Sequence, residues 1–113
     1  MLQLITAIVK PHRVQAVKQA LTDVGVRGLT ISEVRGFGRQ GGHTETYRGT
    51  EYTIEFVPKV KIEVLCAPED AARVAAAISS SAKTGKIGDG KIWAAPVDRT
   101  TRIRTGEVGN DAV

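Results

Sequence analysis

Residues Leu2–Gly25 read LQLITAIVKPHRVQAVKQALTDVG, and the change of rhythm inside that stretch decides the fold. Leu2–Val9 is a compact apolar run rich in β-formers and too short for a free-standing helix, so it reads as a buried strand ending at Lys10-Pro11. From Pro11 onward Val14, Val17, Leu21 and Val24 recur at spacings of three and four, which puts them on one helical face and turns Lys18 and Asp23 away from it. Proline at the first helical position and Gly25 just past the last are the asymmetric punctuation of a helix. The spacing therefore predicts a helix over Pro11–Val24. Leu29–Gly36 alternates again, with β-branched Thr30, Ile31 and Val34, and reads as a second strand.

The same grammar returns about 57 residues later, in Lys59–Gly85, KVKIEVLCAPEDAARVAAAISSSAKTG. Val60, Ile62, Val64 and Cys66 face one way along a strand; Lys59, Lys61, Glu63 and Leu65 face the other. Pro68 opens a second helix with Glu69 and Asp70 in its first turn, where carboxylates suit the positive end of the helix dipole. Ala71, Val74, Ala75, Ile78 and Ala82 form its inner stripe, and Gly85 ends it. Gly88-Asp89-Gly90 makes a tight turn into a fourth strand, Lys91–Val97. Asp98–Thr105 is expected as a short extended piece, and Gly106–Val113 as a polar, loose tail. Two such halves specify an α+β, ferredoxin-like βαββαβ sandwich, in which two helices cover one face of an antiparallel sheet. The other face, bearing Val34 and Leu65, would be left bare, and a bare apolar face predicts association into an oligomer.

Between the halves, Phe37–Phe56 carries four glycines, several charges and little sustained periodicity, and is expected as a loop of about twenty residues. Connections longer than about 12–15 residues are uncommon in compact domains and are usually functional or disordered, which favours a mobile recognition loop here. Tyr47 and Tyr52 add weight, because aromatics are scarce: the others are Phe37, Phe56 and Trp93.

The chain has 113 residues, 42% of them hydrophobic, enough for one domain with a single, aliphatic core. No apolar run approaches the length that spans a bilayer, and the first ten residues lack the layout of a secretory signal, so a cytosolic chain is expected. Cys66 stands alone, which removes intrachain disulfides and cysteine-rich zinc sites and suits core packing in a reducing compartment. The formal charge of +4 fits nucleic acid, a membrane surface or a small polyanion equally well until the charges are located.

Three clusters locate them. Gly36-Phe37-Gly38-Arg39-Gln40 alternates glycines that let backbone amides approach an anion, with an arginine fork beside them; the plainer alternative is a strand-end turn. Thr84–Lys91, TGKIGDGK, offers exposed amides and two lysines around a phosphate, or else a helix cap followed by a hairpin turn. It lacks the Gly-Lys-Ser/Thr spacing of a P-loop and leads into a strand. Arg102 and Arg104 lie two apart, on one face of an extended segment, where they can clamp an oligophosphate or stay solvated. Lys59, at the end of the long loop, suits a small carboxylate or an ordinary exposed strand position. His12 and His43 have no metal-ligand spacing, no dedicated metal cage is evident, and no nucleophile has a base partner, so no catalytic residue is expected.

Taken together, Gly36-Phe37-Gly38-Arg39-Gln40 with Gly42-His43-Thr44-Glu45, Tyr47-Arg48-Gly49-Thr50-Glu51-Tyr52, Thr84–Trp93 and Arg102-Ile103-Arg104-Thr105-Gly106-Glu107 resemble the PII signal-transduction proteins of nitrogen control, the GlnB/GlnK family. The resemblance runs from Met1 to about Glu107. It implies a single domain over 1–113, with 37–56 as the family's T-loop, 84–91 as a phosphate-binding B-loop and 102–113 as a C-terminal loop and tail. It also implies a non-enzymatic homotrimer whose sheets line the centre and which binds ATP or ADP in clefts between subunits. One subunit would supply Gly36, Gly38, Arg39, Gln40, Gly88, Asp89, Gly90 and Lys91; its neighbour would supply Thr30, Glu63, Arg102 and Arg104. With ATP, 2-oxoglutarate would bind through Mg, with Gln40 as a metal ligand beside the ATP phosphates and Lys59 on a ligand carboxylate. Arg48 matches the loop-tip arginine that enters an ammonium transporter in GlnK-type members, and Tyr52 the tyrosine that receives a uridylyl or adenylyl group. The implied partners are therefore an ammonium transporter, a nucleotidyltransferase or enzymes of nitrogen metabolism, met in the cytoplasm or at a membrane through the transporter. Nucleic acid is not among them.

Thr50, Gly41 and Ala94 depart from the family's usual residues, and none of them replaces a principal binding residue. Within the same fold, a PII-like sensor of another small metabolite or nucleotide is the alternative. A nucleic-acid module would need aromatics on central strands, where Trp93 is the single strand aromatic expected. An acylphosphatase-like enzyme would need a catalytic asparagine on a strand; Arg13 could serve as its arginine, but Asn110 in the tail is the sole asparagine.

Overall fold

In the computed structural model, which describes residues 1–38, 43–47, 50–54 and 56–113 (backbone alone for 43–47 and 50–54), Leu2–Val9 forms strand β1. A 3-10 turn at Pro11–Arg13 leads into helix α1, Val14–Asp23, and β2 follows at Thr30–Phe37. The second half repeats the pattern as β5 (Phe56–Cys66), a 3-10 turn at Pro68–Asp70, α2 (Ala71–Ala82) and β6 (Lys91–Val97). Both prolines thus sit in a tight turn ahead of the α-helix, and Glu69 and Asp70 precede α2 instead of occupying its first turn. The four strands pair in the order β2-β5-β1-β6, all antiparallel, as the ferredoxin-like reading requires.

Register explains the layers. Ile5, Ala7 and Val9 of β1 and Val60, Ile62 and Val64 of β5 project to the helix side and are buried. Against them lie Val17 and Leu21 of α1 and Val74 and Ile78 of α2, each pair one helical turn apart and buried. Full burial of such a side chain contributes about 1.5–3 kcal/mol, so a core without aromatics is sufficient. Cys66 joins it, and burial pushes its thiol up, with Asp70 and Glu69 adding to the effect. Arg13 ties the helices together: its Nε and Nη2 donate to Ser81 O at 3.1 and 2.5 Å, placing a cation at the negative end of α2. The opposite face carries Thr6, Lys61, Glu63, Leu65 and Trp93 by register and is covered by no helix.

Four expectations need correction. Within 37–56, His43–Tyr47 (β3) pairs with Thr50–Ile54 (β4), a two-stranded ribbon with its own register where an aperiodic loop was expected. The β-branched and aromatic content of those segments, Thr44, Thr46, Tyr52, Thr53 and Ile54, favours extended backbone without needing a buried face. Second, β5 begins at Phe56 and runs through Pro58. The missing proline donor is tolerated because β1 pairs with β5 only from Val60 to Cys66, leaving Pro58 a neighbour on the β2 side alone. Third, residues 103–105 form a tight turn: Gly106 N donates to Arg102 O and Arg102 N to Glu107 O, each at 2.8 Å. Arg102 and Arg104 therefore do not alternate along an extended face. Fourth, the tail returns on itself through a Thr101–Val108 bridge and a 3-10 turn at Gly109–Ala112. Among the described residues no helix is long and apolar enough to cross a membrane.

Candidate functional site

The end of β2, the start of β5 and the turn before β6 meet on the uncovered side of the sheet. Gly36 sits beside Lys59: a side chain at residue 36 would place its Cβ 3.4 Å from Lys59 Cγ. Lys59 is only 8% exposed, and its ammonium donates to Gly88 O. Burial pushes that ammonium below its ordinary range, nearby Lys10 pushes the same way, and Asp89 opposes them.

The turn itself is held from within. Asp89 accepts from the Thr84 hydroxyl and, at 2.9 Å each, from the Thr84 and Gly85 amides, while Lys10 pairs with it at 3.3 Å. The Thr84 hydroxyl, then the two amides and Lys10, hold its carboxyl well below the usual carboxylate range, although burial pulls the other way. Both carboxylate oxygens are thereby committed to the loop. What the loop can offer an anion is backbone: Gly88 and Gly90 have φ of 92° and 104°. At Gly90 a Cβ would lie 1.7 Å from Ile8 O, so only glycine fits where the turn passes β1. Gly36, Gly38, Lys59, Gly88, Asp89, Gly90 and Lys91 line one depression of about 480 Å³, together with Ile8 and Trp93.

Thr30 and Glu63 are cross-strand partners at the other end of the β2–β5 pair. They line a second, larger depression of about 860 Å³, with Leu65, Arg27, Arg73 and Arg102. Six residue steps along β2 separate Thr30 from Gly36, about 20 Å at 3.3 Å per step. The residues expected to share a ligand thus fall into two groups that one subunit keeps apart. Arg104 is exposed in the 103–105 turn and lines neither depression.

Arg39, Gln40, Arg48 and Gly41 lie outside the described residues; Tyr52 and Thr50 fall in β4, described by backbone alone. Among the described residues no group of three or more His, Cys, Asp or Glu side chains could hold a metal ion. Arg13 is engaged with the end of α2, which removes it as the arginine of an acylphosphatase-like site. Sequence reading missed Lys10, whose burial follows from its place at the end of an apolar strand beside the Asp89 turn. It also missed Arg27 and Arg73, which carry no motif and join the larger depression only through the fold.

The family model "Nitrogen regulatory protein P-II" matches residues 2–107. Among curated proteins, a nitrogen regulatory protein P-II of Rhizobium meliloti is 55% identical over 109 residues, covering 96% of this chain and 97% of that protein. The nitrogen regulatory protein GlnK of Escherichia coli is 50% identical over 112 residues, covering 99% of this chain and 100% of its own. A crystal structure of Arabidopsis thaliana PII bound to citrate superposes with a TM-score of 0.80 at 40% identity, covering 98% of this chain and 88% of the plant chain.

Proposed function

Because the chain belongs to the nitrogen regulatory protein P-II family, a family of signalling proteins rather than enzymes, we propose that it senses ATP or ADP together with 2-oxoglutarate and reports them to nitrogen-related partners. The observation that carries this reading is the division of the site. The glycine turn with Lys59 and Lys91 and the Thr30–Glu63–Arg102 group lie at opposite ends of one β pair, so a second copy that brought its Thr30 end to the first copy's glycine turn would close a cleft around a nucleotide. A homotrimer built through the uncovered sheet face supplies that copy.

Within the cleft the amides of Gly88–Gly90 and the ammonium of Lys91 would hold phosphates, and Lys59 would take a carboxylate of the oxoacid. Magnesium would arrive with ATP. Asp89 has both carboxylate oxygens bound, so the metal's oxygens would come from the phosphates, the oxoacid and Gln40. Lys59 bridges the two ligands in this scheme, since its ammonium already contacts the nucleotide loop through Gly88 O. Residues 37–56 join the strands on which Gly36 and Lys59 sit, so occupancy of the cleft biases that segment, with Arg48 as the partner contact and Tyr52 as the site of a uridylyl or adenylyl group. A coupling of about 1–3 kcal/mol would change partner affinity roughly 5- to 150-fold. An ammonium transporter, a nucleotidyltransferase or a nitrogen-metabolism enzyme would read the change, from the cytoplasm or at the membrane face of the transporter.

Calorimetric titration tests this directly. 2-Oxoglutarate should bind in the presence of Mg-ATP and hardly at all with ADP; equal binding in both would sink the coupling. A second reading is favoured by one observation, the citrate bound to the Arabidopsis relative. On that reading the Lys59 side accepts another small polycarboxylate, and tighter binding of citrate than of 2-oxoglutarate in the same titration would select it.

A further inference from the structure

We propose that Glu107 is a built-in competitor for the phosphate that Arg102 would bind, a carboxylate that occupies the guanidinium until a nucleotide displaces it. This rests on the assignment of Arg102 to the nucleotide cleft. Three contacts define the arrangement. The Arg102 amide donates to Glu107 O at 2.8 Å, which pins the two residues across the 103–105 turn. Arg102 Nη1 then lies 3.7 Å from Glu107 Oε1, with the two side chains 40% and 46% exposed. The Arg102 Nε donates to Ala112 O at 3.4 Å, from the 3-10 turn that closes the tail.

The consequences for the two ends of the guanidinium differ. Nε is turned to a backbone carbonyl, a neutral contact that orients the fork without opposing a second anion. A terminal nitrogen faces a full negative charge, so a phosphate binding at that edge has to compete with a carboxylate already beside it. Glu107 is also poised rather than loose, because the Thr105 hydroxyl donates to its Oε1 at 2.7 Å. Such a half-exposed pair is weak, so a polyphosphate outcompetes it, yet the carboxylate lowers the net gain. Arg102 lines the larger depression that also holds Thr30 and Glu63, so the competition falls at the half of the cleft a neighbouring subunit would use.

Glu107→Gln separates the charge from the architecture: the backbone carbonyl that pins Arg102 remains, and the amide oxygen still accepts from Thr105. Titration of the full chain with Mg-ATP should show about two- to five-fold tighter binding for Glu107→Gln, the scale expected of an exposed ion pair. Adenosine, which lacks phosphate, should bind the variant and the parent equally. Unchanged or weaker ATP binding in Glu107→Gln, with Arg102→Gln weakened as assigned, overturns the competition and leaves the cleft intact. Unchanged ATP binding in Arg102→Gln overturns the assignment of Arg102 itself, and the competition with it. Equal tightening of adenosine and ATP also overturns it, because the effect would then be structural.

Discussion

The two depressions are built on opposite terms. Around the glycine turn, two charges are held by short, partly buried contacts: Asp89 by Thr84, Gly85 and Lys10, and the Lys59 ammonium by Gly88 O. At the Thr30–Glu63 end, the guanidinium groups are exposed or half-exposed and their ion pairs reach solvent, Arg73 with Asp70 at 3.0 Å and Arg102 with Glu107 at 3.7 Å. In the proposed scheme the first half would be set before any ligand arrives and recognise by fixed backbone geometry, and the second would contribute charge. On the proposed function, a composite cleft of this kind would divide shape and electrostatics between two copies of one chain and make the effects of substitutions unequal in a defined way.

The sharpest attempt to break that contrast is Gly90→Ala. Its Cβ would collide with Ile8 O at a φ of 104°, so unfolding in urea should show a loss of about 3 kcal/mol or more. A loss below about 1 kcal/mol would mean that the turn shifts freely and is not preset. Lys59→Gln removes the charge from the same half. We expect 2-oxoglutarate binding with Mg-ATP to fall about 10- to 100-fold, the scale of a lost charge-assisted bond, while ATP alone changes much less. Parallel losses for both ligands would deny Lys59 its separate role. Acid titration probes the same turn. The Asp89 carboxyl is held below its unfolded value, so the unfolded chain takes up the proton first. Its contribution is complete above about pH 3.9 and is lost as the pH falls from there toward the depressed native value. Asp89→Asn should flatten the acid limb of a plot of urea midpoint against pH; an unchanged limb would detach Asp89 from the stability of the turn. The smallest effect belongs to the other half, where Arg73→Ala should change stability by no more than about 0.5 kcal/mol, and a larger change would show that this end too is preset.

Legibility in the sequence followed the source of the order. Strand β1 and both helices were readable with near-correct bounds, because each buries a periodic apolar set against the core, Ile5, Ala7 and Val9, or Val74 and Ile78; β6, with no buried residue, was bounded instead by the glycine turn ahead of it. The pairing of β3 with β4 was not, since backbone bonds between two segments rich in threonine and charge leave no periodic imprint. Pro58 argued against a strand locally, and only the ending of β1 opposite Val60 removes the objection. In the tail, the bond from Arg102 N to Glu107 O uses no side chain, so residue types said nothing of the turn that separates Arg102 from Arg104. At the site, the glycines announced themselves. The inward use of Asp89 did not, because a carboxylate between two glycines reads equally well as a ligand contact or as a loop brace.

Trp93 also makes the chain its own reporter. It is the single tryptophan of the chain, stands 47% exposed on β6, and borders the depression that also contains Lys59 and the Gly88–Lys91 turn. The whole indole emission of the protein therefore originates at the rim of that depression. A ligand seated there would change the solvent around a single fluorophore, so the indole emission would follow occupancy in real time without a label.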